Sequence, residues 1–285
     1  FLIIFNQVFY NFHIYLFLIF LIGFFSDTNL ISSPKIRFFF QILLILIFLQ
    51  LEDINISSTR IIFLDLLLQN KLYSLLFTAF CVAVMLNGTN FIDGLNTLAI
   101  GYYFILSLIL IKIDLLKEIN IEKSLFIYWS IILAFLYLFN LKKRLFLGDS
   151  GAYILGFIYS YLLLSIFNND QNISPFFIIL LLWYPCFENL FSIIRKILIK
   201  KNPLEPDTGH FHQKLFIFLK KKFKLTNFKS NILSSILILC FNFGIFYIAS
   251  LKISHSIFQL TLLFLSVSFY LIIYLSINKL IKKNY

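Results

Sequence analysis

Charge is scarce in this chain: 13% of its 285 residues are Asp, Glu, Lys or Arg, against 60% that are apolar. That balance excludes an ordinary soluble domain, because several apolar stretches are longer than a soluble core can hide. Cysteine is scarce too. Cys81, Cys186 and Cys240 lie far apart, in or beside apolar runs and without CxxC spacing, which excludes a zinc site and a disulfide framework and leaves them as small packing residues. The apolar runs lack the every-second-residue polarity of a membrane β-barrel. Residues 1–9 lack both a basic n-region and a small-residue cleavage site, so they do not make a signal peptide. There is no internal repeat of helix pattern or motif, which removes support for an inverted-repeat transporter. The longest polar stretch, about residues 200–230, is too short for an appended soluble domain.

What the chain has is apolar length. Spanning hydrocarbon takes roughly 20 apolar residues per helix, fewer where flanking side chains snorkel or the bilayer thins. Nine runs qualify, at about 10–25, 36–51, 61–86, 97–112, 124–140, 151–167, 175–194, 231–251 and 256–278. The expectation is an all-α, polytopic transmembrane helical bundle, a single integral-membrane domain over 1–285 with the bilayer, not nucleic acid, as its surroundings. The chain opens on Phe1 instead of Met, so further sequence is expected upstream.

Net charge is +11, and its distribution orients the bundle, because Lys and Arg in short loops mark the cytoplasmic face. Ten of the 24 basic residues fall between Arg195 and Lys229, which places that loop inside. Counting helices backward puts "NNDQNIS" (168–174) outside, "LKKRLFLGDSG" (141–151) inside, 112–123 outside, and both "NGTNFIDGLNTLAIG" (87–101) and "SDTNLISSPKIR" (26–37) inside. Four polar segments, 26–37, 87–96, 140–151 and 202–214, are thereby expected at one membrane face. Helical membrane enzymes and transporters build chemistry from such loops, since irregular backbone at that depth must be buried in protein or face water.

Each segment has a structural and a functional reading. Asp27 ends one helix and Pro34 opens the next, so Asp27 alone is equally a turn residue. In 87–101, Asn87, Asn90 and Asp93 recur at helical spacing on one face beside Gly88, Gly94 and Gly101. A helix-linking turn explains one Asn-Gly but not the repetition, and three oxygen-bearing side chains on a face suit Mg²⁺ and sugar or phosphate groups. In "FLGDSGAYILG", Asp149 stands at a helix start, where an N-cap is the plain reading; the same helix end also welcomes phosphate, with Lys142, Lys143 and Arg144 just upstream. His210 and His212, in "EPDTGHFHQKL", have no Cys or third His nearby for zinc and suit a phosphate contact better. His13 and His255 lie near the opposite face.

Taken together, these segments resemble the polyprenyl-phosphate N-acetylhexosamine-1-phosphate transferases, the superfamily of phospho-MurNAc-pentapeptide translocase and of the transferases that start O-antigen and related glycans. "GDSGAYILG" and "YPCFENLFSIIRK" (184–196) look more like the O-antigen-initiating branch, and 87–101 resembles the family's Asn-x-x-Asn-x-x-Asp-Gly signature. The resemblance implies eleven spans, two of them and a basic loop preceding residue 1, in a bacterial inner membrane with the active site on the cytoplasmic face. It implies transfer of N-acetylhexosamine-1-phosphate from a UDP-sugar to polyprenyl (undecaprenyl) phosphate, with release of UMP and a requirement for Mg²⁺. By position, Asp149 matches the metal-binding Asp, with Asn90 a second metal contact. Asp93 and Asn87 match the nucleotide-sugar and metal neighbourhood, Asn96 stands in the same stretch where an Asp is common, and Phe146 matches a position beside the uracil. His210 and His212 match the diphosphate-contacting loop, with Gln213 where many members have a further His. Asp27 matches the second Asp of an acidic pair near the acceptor phosphate, with Ser26 in place of the first. Asp27, Asp93 and Asp149 are thus the implied catalytic carboxylates, and Asn87, Asn96, Phe146, His210 and His212 the implied substrate contacts.

Two readings of other classes stand beside this one. A non-catalytic relative or lipid carrier that binds polyprenyl phosphate without transferring sugar is motivated by Ser26 and by the segment expected upstream of residue 1. A solute transporter is disfavoured by the absence of a charged pair at mid-membrane.

Overall fold

The computed structural model describes residues 12–203 and 208–284. Among these, eleven α-helices follow one another: α1 Phe12–Asp27, α2 Pro34–Leu51, α3 Ile62–Leu68, α4 Lys71–Ile92, α5 Leu98–Ile113, α6 Lys123–Leu141, α7 Gly148–Asn169, α8 Pro175–Leu198, α9 Phe211–Lys222, α10 Asn227–Ala249 and α11 Ser256–Asn284. The described residues contain no strand.

Among the described residues, every apolar run of the sequence is helical. Seven of these, α2, α4, α6, α7, α8, α10 and α11, are long and apolar enough to cross a membrane. The other two are α1, with 16 residues among those described, and α5, whose 16 residues reach about 24 Å, short of the roughly 30 Å hydrocarbon core. The run expected as one helix over 61–86 is instead two. α3 ends at Leu68 with Gln69 as its cap, and Asn70 starts α4, its side-chain oxygen accepting the Leu72 N–H at 2.9 Å, a cap that satisfies one of the first-turn donors. Prolines begin α2 and α8, each preceded by an extended Ser, where a missing N–H is harmless.

α7 forms the centre, with Ala152 to Phe167 buried except Ile154, and α1 and α4 pack along it. Gly23 of α1 lies directly on the α7 backbone: a Cβ there would be 2.3 Å from the Ser150 Cα. Small residues at such crossings let helices approach where hydrocarbon supplies no squeezing force. Phe12 then stacks on Tyr161 with ring centres 4.6 Å apart, and Phe48 of α2 meets both Tyr161 and Phe157 edge-on.

α8 continues through Pro185, which has no N–H for the Leu181 carbonyl one turn earlier. Tyr102 of α5 replaces the missing donor, its hydroxyl bonding that carbonyl at 2.8 Å. α9 is short and amphipathic. It turns Phe211, His212, Leu215 and Leu219 inward against α10 and α11 and ends in Lys220, Lys221 and Lys222.

At the end where α7 finishes, Arg60 gathers two loops. Its guanidinium donates to the carbonyls of Gln171, Asn172, Ile173 and Ser254 and to the Ser256 hydroxyl. The opposite end, where α7 begins, holds the cavity described next.

Candidate active site

The N-terminus of α7 is capped in trans. Asp149 is the second residue of that helix and not its cap; the capping carboxylate is Asp27, from the last turn of α1. One oxygen of Asp27 accepts the Asp149 N–H at 2.8 Å, and the other accepts the Ser150 N–H at 3.1 Å and the Ser150 hydroxyl at 2.8 Å. Both Asp27 oxygens are therefore engaged, in the place that the exposed N–H groups and the helix dipole make most favourable for an anion. The close approach at Gly23, one turn earlier on α1, delivers Asp27 to this position.

Freed from capping, the Asp149 carboxylate turns to the cavity and collects three donors. Arg37, from the first turn of α2, donates to Oδ2 at 2.5 Å, and the Ser26 hydroxyl donates to the same oxygen at 2.5 Å. Arg37 also donates to the Ser26 hydroxyl. The Asn90 amide donates to Oδ1 at 2.5 Å.

The cavity around this cluster has a volume of about 560 Å³. One wall is the last two turns of α4, where Asn87, Asn90 and Asp93 share a face as their spacing predicts. Asn87 is steadied there by donating to Gln41 at 3.0 Å and to the Ala83 carbonyl at 2.9 Å. Arg37, Gly148 and Asp149 line a second side, and Asn189, Lys196, His210 and Gln213 a third. Lys196 is 3% exposed, and its ammonium donates to the Pro203 carbonyl at 3.1 Å. All four polar segments singled out in the sequence thus meet at this one cavity.

Burial pushes the Asp93 carboxyl up to about 8; the Asp149 charge acts in the same direction, the Gly148 backbone hydrogen bond opposes it, and the Asp27 charge adds a little more. Two carboxylates and an amide with like-charge crowding make a hard-oxygen donor set of the kind that suits Mg²⁺. Among the described residues there is no group of three His, Cys, Asp or Glu able to cage a metal unaided. A Mg²⁺ ion characteristically takes one or two carboxylates and completes its shell with water and substrate phosphate, so Asp149, Asp93 and Asn90 fit it.

The structure brings Asn87, Asn90, Asp93, Asp149 and His210 to the cavity wall, and Asp27 just behind it. It does not bring Asn96, Phe146 or His212 there. Asn96 belongs to the turn before α5, its amide donating to the Asn140 carbonyl at 3.3 Å while its own carbonyl accepts from Ser235 at 2.8 Å. Phe146 is 75% exposed on the loop before α7, and Lys142, Lys143 and Arg144 also lie outside the cavity lining. His212 is fully buried behind His210, stacked on it at 5.5 Å between ring centres and pressed on Gly94. Neither of its ring nitrogens has a hydrogen-bond partner among the described residues.

Burial pulls the His212 imidazole down to about 4, from a usual value of 6.5; the Glu188 charge opposes this and the His210 charge adds to it. The folded protein holds this ring neutral, whereas the unfolded chain takes up a proton once the pH falls below about 6.5. Stability is therefore intact above that value and declines as the pH drops toward 4. We expect about 2 kcal/mol of acid lability from this ring between pH 7 and pH 5. Thermal unfolding in detergent checks it: His212→Gln should lose less stability over that interval than the parent, and equal losses would contradict the assignment.

Sequence reasoning missed Arg37, Gln41, Glu188, Asn189 and Lys196. Arg37 carried a signal, a cation one turn into a helix that opens beside Asp27; Glu188 carried another, an ionisable residue inside an apolar run.

Over 149 residues, the chain is 32% identical to a probable undecaprenyl-phosphate N-acetylglucosaminyl 1-phosphate transferase of Bacillus subtilis (strain 168), covering 50% of this chain and 40% of the relative. It is 30% identical over 130 residues to the undecaprenyl-phosphate alpha-N-acetylglucosaminyl 1-phosphate transferase of Thermotoga maritima, covering 45% and 38%. A decaprenyl-phosphate N-acetylglucosaminephosphotransferase of Mycolicibacterium smegmatis is 26% identical over 167 residues, covering 51% and 41%. The matches thus span well under two thirds of each relative's length. No solved structure matches the chain. The family described as glycosyl transferase family 4 matches residues 9–167, a stretch that contains the Asp27 cap, the Asn87–Asp93 face and the Asp149 cluster, and the chain is a multi-pass membrane member of that family.

Proposed function

We propose that the protein transfers a sugar 1-phosphate, N-acetylhexosamine-1-phosphate, from a UDP-sugar to polyprenyl phosphate, releasing UMP at the cytoplasmic face of a bacterial inner membrane. The observation that carries this reading is the meeting of four distant polar segments around Asp149 in one cavity, at the end of the bundle richest in Lys and Arg. The relatives' names, which specify undecaprenyl or decaprenyl phosphate and N-acetylglucosaminyl 1-phosphate transfer, support the substrate class. The cavity volume lies within the usual range for small-molecule sites, roughly 300–1,000 Å³.

In this reaction an oxygen of the lipid phosphate attacks the phosphorus that carries the sugar, and the bond from that phosphorus to the bridging oxygen breaks. UMP leaves with the bridging oxygen. Both reactants are anions, so the protein's task is alignment and charge neutralisation. Arg37 and Lys196 supply fixed positive charge on two sides of the cavity, and His210, its Nδ1 held by Glu188, also lines it. The amide oxygens of Asn87 and Asn189 can accept from sugar hydroxyls, and Asn90 and Asn189, each with one amide N–H already bonded within the protein, have a second N–H for a phosphate or sugar oxygen. Asp149, Asp93 and Asn90 would hold Mg²⁺, which when bound screens the diphosphate charge.

The test is release of UMP from UDP-N-acetylglucosamine by the protein in its full-length membrane form, supplied with undecaprenyl phosphate, with and without Mg²⁺. Mg²⁺-dependent UMP release that needs the lipid is the expected result. Binding of the UDP-sugar with no release would overturn transfer and leave the lipid-binding reading.

A further inference from the structure

Glu188 is a carboxylate inside a membrane-spanning helix, 1% exposed, that does not itself line the cavity. A buried carboxylate costs several kcal/mol unless it is paired and hydrogen-bonded, and in a membrane helix it marks function by default. Its bonding is complete and specific. Oε1 accepts the Phe211 N–H at 3.0 Å and the Tyr270 hydroxyl at 2.9 Å, with the Tyr184 hydroxyl at 3.5 Å, while Oε2 faces His210 Nδ1 at 3.1 Å.

The two oxygens have different tasks. Oε1 ties α8 to the start of α9 and to α11, a role any good acceptor could fill. Oε2 meets a histidine ring that lines the cavity, and because a carboxylate only accepts, the shared proton must sit on Nδ1. A ring that also donates to an anion from Nε2 must carry both protons, and a buried negative charge alongside is the counter-charge for that form.

Resting on the function proposed above, we infer that Glu188 is a positioning residue for the donor: it fixes His210 through Nδ1 and serves as the counter-charge for a ring that donates from Nε2 to the diphosphate of the UDP-sugar as a cation, where the Glu188→Gln ring would donate only as a neutral group. A purely structural acceptor makes a different prediction. In Glu188→Gln the amide oxygen can stay with Phe211 and Tyr270, so the fold is kept, and the amide nitrogen then turns to His210, reversing that bond. Glu188→Asp keeps the charge on a shorter arm.

The experiment pairs ¹⁵N NMR of the ring nitrogens with UDP-N-acetylglucosamine binding, on the histidine-labelled full-length protein in detergent. The chain has four His, so His210 is assignable by its own substitution. We expect a protonated Nδ1 in the parent and in Glu188→Asp, and an unprotonated Nδ1 in Glu188→Gln. Affinity for the UDP-sugar should fall on the order of 10–100-fold in Glu188→Gln, the range in which partners of a functional histidine act, with recovery of most of that loss in Glu188→Asp. An unchanged Nδ1 signal or unchanged affinity in Glu188→Gln overturns the inference. Binding is read without turnover, so a parent that binds the UDP-sugar but releases no UMP rejects the transfer reading and still decides the role of Glu188.

Discussion

Replacing Asp149 with Asn is expected to lower UMP release on the order of 1,000-fold while leaving the bundle folded. The carboxylate is the point on which Arg37, Ser26 and Asn90 converge, and it is one of the two acidic groups that would hold a divalent cation. Asn has the same shape but no charge, and its amide hydrogens would face the Arg37 guanidinium, placing donor against donor. The structural loss is small by comparison. The cap of α7 uses the backbone N–H of Asp149 and the carboxylate of Asp27, neither of which the substitution touches. The Arg37–Asp149 pair is about a quarter exposed on each side, which limits its contribution to roughly 1 kcal/mol or less. Thermal midpoint and UMP release, measured on one preparation, separate the two effects. Turnover within a few fold of the parent, with the midpoint preserved, would remove Asp149 from the chemistry.

Much of this was legible in the residues, and the parts that were not share a cause. Apolar length and continuity identify the helices, because burial and hydrocarbon thickness act on composition within a single segment. The Asn87, Asn90 and Asp93 spacing identifies a polar face because helical periodicity is local, and the structure keeps that face on the cavity wall. Asp27 is different. As a lone Asp before a turn it reads as an acid near the acceptor phosphate or as plain punctuation, yet both its oxygens serve a helix 122 residues away. That assignment depends on Gly23 lying against Ser150, a tertiary contact with no periodic trace. Asn96 and Phe146 lie off the cavity for the same reason in reverse. Their neighbours in sequence reach the cavity, but the turn before α5 is tied to Asn140, whose side chain accepts the Thr97 N–H at 2.5 Å, and the loop before α7 leaves Phe146 in the open. Glu188 was readable in principle, as a charge in an apolar run; only the fold shows that its partner is a histidine more than twenty residues ahead.

A methyl group added at Gly88 should do broader damage than any loss of side-chain chemistry. A Cβ at this position would lie 2.3 Å from the carbonyl oxygen of Pro185 and 2.6 Å from its carbonyl carbon. These are backbone atoms of a neighbouring helix, so no rotamer change relieves the clash and α4 and α8 must move apart. The hydrogen bond from Asn189 to the Val84 carbonyl, 3.0 Å in the parent, joins the same two helices one turn away. The cavity lies across that seam, with Asn87, Asn90 and Asp93 on one side and Asn189, Lys196 and His210 on the other. A shift of about 1 Å between groups that must align two anions can lower turnover on the order of 100-fold, and overpacking of this kind costs about 1–3 kcal/mol or more in stability. Gly88→Ala is therefore expected to lower both the thermal midpoint and UMP release. Gly244 supplies the internal control: it lies within α10, and a Cβ there meets nothing within 4 Å. Gly244→Ala should leave turnover unchanged and raise stability by up to about 1 kcal/mol, since alanine is the better helix former. If the two alanine variants melt together with the parent and turn over alike, the close seam between α4 and α8 does not exist in the membrane-embedded protein, and the cavity cannot have the walls described here.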